Sequence, residues 1–265
     1  PLAETLLLSR KDIAQLISMK DVLSDVEEVF RARGEGRTAV PPRMKLGTKM
    51  FPHVKMKASL TAMSGYLLGK DGKSMVGMKW IGGSTFNRER NLPTLASIIV
   101  INDPETGMPL AVADGTLITA MRTGAATAIG AKYLARKDSS KVAIAGAGVQ
   151  GRTALMALNE LFNIQSVKVA DVDRSAAYRY SEEMRRLLEL EVVSVDDVRN
   201  AVNNVDMIIM TTSSETPVLR GEWLERGFFV GSIGAGEELD DETPRKADKI
   251  VVDDRHEVSR ALRSI

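Results

Sequence analysis

Short apolar runs separated by amphipathic stretches organise the second half of the chain. Val142-Ala143-Ile144-Ala145, Val167 to Ala170, Val192-Val193, Val205 to Met210, Phe228 to Gly234 and Ile250 to Asp253 each read as a strand. Apolar runs with little polar alternation are typical of parallel strands covered on both faces. Between the first two runs, Ala154, Leu155, Leu158 and Leu161 recur at helical spacing. An Arg- and Glu-rich helix with a solvated surface is expected over Ser175 to Leu190, a short helix over Val195 to Ala201, and a helical turn over Trp223 to Arg226. Alternating strands and helices predict an α/β fold with a parallel sheet.

The first half follows another rhythm. Leu6-Leu7-Leu8 predicts a strand, followed by two helices. The second helix carries Val22, Val26, Val29 and Phe30, opens near Asp21 and ends at Gly34 and Gly36. Pro41-Pro42-Arg43 makes a rigid extended turn, and residues 44–76 predict strands joined by loops. Met75 to Ile81 reads as a strand with Lys79 among apolar neighbours. Pro93 to Ile101 and Pro109 to Ala113, separated by the turn Asn102-Asp103-Pro104-Glu105-Thr106-Gly107, predict a hairpin. A small-residue helix is expected from Leu117 to Leu134, with Arg122 near its start and a polar linker after it. With 265 residues, two domains are accommodated, 1–137 and 138–265.

The strongest chemical signal is Gly146-x-Gly148-x-x-Gly151, set between a predicted strand and a predicted helix. Gly146 serves the tight turn, Gly148 admits a pyrophosphate against the backbone, and Gly151 allows close helix–strand packing. The helix N-terminus adds unpaired N–H groups and the positive end of its dipole. Asp171, at the end of the following strand, suits a ribose diol and repels a 2′-phosphate. NAD is therefore the expected cofactor, with NADP left open by Arg174 nearby. Thr211 to Ser214 and Ser232-Ile233-Gly234 fall at the carboxyl ends of later strands, where such sheets bind ligands. The fold expected is a Rossmann dinucleotide-binding domain plus a smaller N-terminal α/β domain.

Composition narrows the rest. With 36 basic and 35 acidic residues, a net charge of +1 does not serve a nucleic-acid or membrane-surface partner. The absence of cysteine excludes disulfides, zinc–thiolate sites and a Cys nucleophile, and His53 and His256 lack ligand spacing, so no metal is expected. No run reaches transmembrane length and no signal peptide is evident, so a cytoplasmic protein is expected. Two cations stay ambiguous on these grounds. Lys79 either alternates onto a wet face or meets an anion, since a buried ammonium is costly. Arg122 beside a positive dipole end is either exposed or partnered by an anion.

These residues together resemble the ornithine cyclodeaminase/μ-crystallin family, which includes archaeal-type alanine dehydrogenases and ketimine reductases. The resemblance runs nearly the whole length through PPR (41–43), GMKW (77–80), LPT (92–94), NDPETGMPLA (102–111), MRTGAA (121–126), AKYLAR (131–136) and GAGVQG (146–151). It implies a homodimer whose N-terminal domain handles substrate and dimerisation while the Rossmann domain holds the cofactor. It also implies that Arg43, Lys79 and Arg122 bind a substrate carboxylate, with Lys79 acting near the reacting amine or imine. Thr94, Val149, Gln150, Asp171, Thr212, Ser232 and Ile233 match positions lining the dinucleotide.

The activity implied is NAD(P)-dependent oxidoreduction at the C–N bond of a small amino or imino acid. The alternatives are an ornithine- or lysine-type cyclodeaminase and a non-catalytic nucleotide-binding protein. Gly236 stands where cyclodeaminases and alanine dehydrogenases carry an aspartate, in a shortened loop where Glu237 and Glu238 are the nearest substitutes. That departure favours imine reduction. Residues 44–74 are longer than the cyclodeaminase pattern, and relatives continue past the position of Ile265.

Overall fold

A computed structural model describes residues 4–47, 53, 56–234 and 237–253. The chain divides into two compact units, Pro1–Arg122 and Thr123–Ile265. Gly236 and His256 lie outside the described residues.

The first unit begins with strand β1 (Leu6–Leu8), followed by helices α1 (Arg10–Leu16) and α2 (Met19–Gly34). Both helices start with a reciprocal cap. Ser9 pairs with Asp12, and Ser18 pairs with Asp21, each serine accepting from the aspartate's N–H while the carboxylate accepts from the serine's. A Ser-x-x-Asp spacing thus satisfies N–H groups that a helix start leaves unpaired. Strands β2 (Thr38–Ala39), β3 (Met44–Leu46), β4 (Ser59–Leu68), β5 (Ser74–Gly83), β6 (Leu95–Asn102) and β7 (Pro109–Asp114) complete a 7-stranded sheet ordered β1-β7-β6-β5-β4-β2, with β3 also on β4. Only β1 pairs in parallel; the other pairings are antiparallel. The expected hairpin is β6–β7, closed by Asp103, whose carboxylate accepts from Glu105 N and Thr106 N.

Helix α3 (Thr116–Leu134) follows directly. Its first turns are pinned to β6, where Ser97 N donates to Thr116 Oγ1 at 3.2 Å and Ser97 shares a hydroxyl hydrogen bond with Thr119.

The second unit alternates strictly. Strand β8 (Lys141–Ala145), helix α4 (Val149–Leu161), strand β9 (Ser166–Ala170), helix α5 (Arg174–Leu188), strand β10 (Glu191–Ser194), helix α6 (Val198–Val202), and strands β11 (Met207–Met210) and β12 (Phe229–Ser232) precede the short helix α7 (Glu242–Arg245). The 5-stranded sheet is wholly parallel in the order β10-β9-β8-β11-β12. Strand order reverses between β8 and β11, which is the switch point at which doubly wound sheets bind ligands. Val142 to Ala145 and Met207 to Met210 are buried at every position, as cover on both faces requires. One face packs Ala143, Ala145, Ile208 and Met210 against Ala201, Val202, Leu219 and Leu224.

Three local expectations shift. Helix α6 starts at Val198 because Asp197 caps it, accepting from Asn200 N. The turn near Trp223 is a single 3-10 turn, Gly221–Trp223. Ile250 to Asp253 form no strand: Ile250 and Val251 are exposed, and no strand among the described residues pairs with them. β-Branched residues favour a strand only when an edge is there to pair with.

Candidate functional site

The turn from β8 into α4 explains its glycines. Gly146 has φ +103°, and a Cβ there would sit 2.7 Å from Thr211 Oγ1, so only glycine fits. A Cβ on Gly151 would lie 2.5 Å from Gly146 O, which is the close helix–strand approach expected of it. Gly148 differs: nothing lies within 4 Å of a Cβ built there, so the space beside it is open. Gly148 is also the N-cap of α4 and supplies no side-chain cap, leaving the first N–H groups of the helix directed outward. Val149 is exposed beside them, and Gln150 Oε1 is buried with no hydrogen-bond partner.

Asp171 closes this cradle. One carboxylate oxygen accepts from Ala147 N at 2.8 Å and the other from Asp173 N at 2.9 Å. The acid is thus fixed against the glycine turn, with lone pairs remaining on both oxygens. Arg174 pairs with Asp196 at 3.3 Å, so the cation that left NADP open is partly neutralised. An open, N–H-lined helix start, a buried amide oxygen without a donor and a fixed acid at the neighbouring strand end fit a dinucleotide diphosphate and ribose. Gly146, Gly148, Val149, Gln150, Gly151 and Asp171 are the residues that would hold it.

Two supports escaped sequence reading. Arg152 donates to Ala147 O and Gly148 O, forks onto Glu183, and lies over the Tyr180 ring. Tyr180 is fully buried and donates to Gly151 O at 2.9 Å. The Tyr180 hydroxyl is pushed far above the ordinary phenol range by burial. An arginine in a helix's first turn and a tyrosine in a charged helix look like surface residues in sequence; the packing of α5 on α4 makes them turn braces.

At the ends of β11 and β12, Thr212 and Ser232 converge on Glu238 rather than standing apart. Glu238 is 1% exposed. Its Oε2 accepts from Thr212 N at 3.0 Å and Thr212 Oγ1 at 2.6 Å, and its Oε1 from Ser232 Oγ at 2.8 Å and Gly234 N at 3.1 Å. Ile233 N donates to Met210 O. Glu238 is therefore turned inward and spent on the sheet edge, which removes it as a substitute for the missing aspartate. Nothing in local sequence distinguished it from Glu237, which is exposed.

In the first unit, Arg43, Lys79 and Arg122 come together. Lys79 lies on β5 opposite Met63 of β4, and Arg43 immediately precedes β3, whose Met44 pairs with Ala62. Antiparallel register thus brings Arg43 to the level of Met63. Arg122 lies on α3, three residues beyond Thr119, which shares a hydroxyl hydrogen bond with Ser97 of β6. Lys79 is half-buried while both arginines are exposed. Its ammonium is pushed down to about 8 from the ordinary 10.5, first by burial and then by Arg122 and Arg43. Thr94 also belongs to this unit, half-buried just before β6, its carbonyl accepting from Ser84 N.

A doubly wound parallel sheet with this glycine cradle and this acid defines a dinucleotide-binding protein of the Rossmann class. More specifically, the sequence profile of the Ornithine cyclodeaminase/mu-crystallin family matches residues 3–261, and the chain belongs to that family. It is 39% identical over 258 residues to an alanine dehydrogenase of Archaeoglobus fulgidus, spanning 95% of this chain and 74% of the relative. Among solved structures, Thermococcus litoralis Δ1-pyrroline-2-carboxylate reductase in complex with NADH and L-proline superposes with a TM-score of 0.85 at 39% identity, covering 92% of this chain and 74% of that one. An archaeal alanine dehydrogenase dimer with bound NAD gives 0.85 at 37% identity, covering 96% and 75%. Among the described residues no helix is long and apolar enough to cross a membrane.

Proposed function

We propose that this chain is an NAD(H)-dependent oxidoreductase acting on the C–N bond of a small amino or imino acid, as an amino acid dehydrogenase or ketimine reductase. The observation that carries the reading is Lys79, a half-buried ammonium whose titration is pushed down to about 8 beside two arginines. Such a cluster stabilises a bound carboxylate, because an anion relieves mutual repulsion and an arginine fork matches its two oxygens. NAD(H), held by the β8–α4 cradle, would supply hydride exchange. Arg43 and Arg122 would bind and orient the substrate carboxylate. In the reducing direction the nitrogen of the C=N bond also gains a proton, and Lys79 is positioned by its lowered pKa to give it.

We assign substrate binding and dimerisation to residues 1–137 and cofactor binding to 138–265. A homodimer is supported by one face of the first sheet, where Leu7, Met78, Ile98 and Leu110 leave apolar side chains exposed on neighbouring strands. Use of a dissolved dinucleotide pool suits a cytoplasmic enzyme.

Alanine with NAD and pyrroline-2-carboxylate with NADH, the substrates suggested by the relatives, are the first to assay, following absorbance with ammonia measured in parallel. Net cofactor turnover is expected, abolished in Lys79→Ala while NADH still binds. Ammonia release from ornithine or lysine without net cofactor change would overturn the oxidoreductase reading. Loss of NADH binding in Lys79→Ala would overturn the role given to Lys79.

A further inference from the structure

The carboxyl edge of the second sheet contains a buried acid that neither the glycine cradle nor the cationic cluster explains. Glu238 takes four hydrogen bonds, two on each oxygen, from Thr212 and from Ser232 and Gly234. Two acceptances per oxygen use all the lone-pair sites of a carboxylate. Its own backbone is fixed as well, since Glu238 O accepts from Val218 N and Leu219 N. The acid is therefore a built part of this edge.

This arrangement dictates the polarity of the hydroxyls it binds. A serine or threonine hydroxyl has one proton to donate and lone pairs to accept with. Ser232 Oγ and Thr212 Oγ1 both give their proton to Glu238. Toward anything beyond the edge they can only accept. Thr212 Oγ1 already receives a long contact from Ser214 N at 3.4 Å, whereas Ser232 is exposed. Ser232 is the hydroxyl with acceptor capacity to offer a ligand.

Topology indicates which part of a dinucleotide would meet it. The diphosphate cradle lies at β8, and the ribose acid Asp171 at the end of β9, to one side. The adenosine half is accounted for there, so the other half must extend over β11 and β12. Its ribose hydroxyls can donate or accept and are indifferent to a fixed partner. The carboxamide nitrogen of the nicotinamide can only donate.

We propose that Glu238 is a positioning residue that holds Ser232 as an obligate acceptor and so selects the carboxamide N–H of the nicotinamide ring. The proposal rests on the dinucleotide reading above and deepens it. In Glu238→Gln the amide cannot accept all four hydrogen bonds. One edge receives an NH2 group, which reverses a hydroxyl or confronts a backbone N–H.

The test compares NADH with its reduced 3-acetylpyridine analogue, in which a methyl group replaces the amide nitrogen. Affinities are measured by fluorescence titration, and ADP-ribose, which lacks the ring, is titrated by calorimetry. The wild-type protein should prefer NADH by roughly three- to tenfold, the range of one net hydrogen bond. Ser232→Ala and Glu238→Gln should each bring that ratio near one while ADP-ribose affinity stays unchanged.

An acid that only braces the fold would weaken all three ligands together, and that result would overturn the proposal. A wild-type ratio near one, or a ratio kept in Ser232→Ala, would overturn it too, with NADH binding intact and the dinucleotide reading still standing. Failure of the wild-type protein to bind NADH at all would instead remove the dinucleotide reading itself, and the proposal with it. Should Glu238→Gln not fold, the exposed Ser232→Ala decides alone.

Discussion

Replacing Arg122 with glutamine should raise the pH at which Lys79 loses its proton. The ammonium titrates near 8 rather than 10.5 because of burial first, Arg122 second and Arg43 third. Removing the larger of the two cationic influences leaves burial in place. The midpoint should therefore climb by roughly half a unit to one unit, without returning to the ordinary value. Trace acetylation followed by peptide mass spectrometry reads this directly, because only the neutral amine reacts. In the wild-type protein, roughly one Lys79 in ten should be neutral at about pH 7 and roughly nine in ten at about pH 9.

The same shift has a signed effect on stability. Below about 8 both folded and unfolded chains carry the proton, and the cost of the buried ammonium is fully present. Between about 8 and 10.5 the unfolded chain keeps a proton that the folded chain has released, so stability rises with pH across that window. Lys79→Met should lack this rise and should gain on the wild type at neutral pH. A Lys79 midpoint near 10.5, or one that Arg122→Gln does not move, would refute the reasoning.

Gly124→Ala should destabilise the second unit by about 1–3 kcal/mol or more, read by chemical denaturation, because a Cβ there would lie 2.4 Å from the backbone of Thr153 on α4. Unchanged stability would mean that α3 and α4 do not approach so closely. Asp171→Ala should weaken NADH by about ten- to hundredfold and NADPH much less, as expected when a charged ribose acceptor is lost. Because Asp171 also holds Ala147 N and Asp173 N, both cofactors should lose something, so the ratio between them is the decisive quantity. An unchanged ratio would remove Asp171 as the ribose ligand.

Elements whose signal is local were legible in advance. Val142 to Ala145 in β8 and Met207 to Met210 in β11 are uninterrupted apolar runs, β9 buries Val167, Val169 and Ala170, and the glycine turn needs a positive φ at one position and backbone contact at another. Such requirements leave a mark in a few neighbouring residues. The failures were of another kind. Ile250 to Asp253 have the composition of a strand but no edge to pair with, and pairing is not a property of four residues. Helix α6 shortened because Asp197 competes as a cap for the N–H of Asn200.

The sequence by itself determined the doubly wound unit, its glycine turn and the acid at the end of β9, because each follows from period, turn chemistry and short spacing. It also nominated Arg43, Lys79 and Arg122, though only by resemblance. Tertiary structure alone brought these cations near one another, since antiparallel register and the docking of α3 on β6 gather residues far apart in the chain. It likewise separated Glu237 from Glu238, adjacent acids of identical chemistry. One is exposed; the other is buried against donors at the ends of β11 and β12. Burial and hydrogen-bond closure depend on where the rest of the chain returns, and no local pattern encodes them.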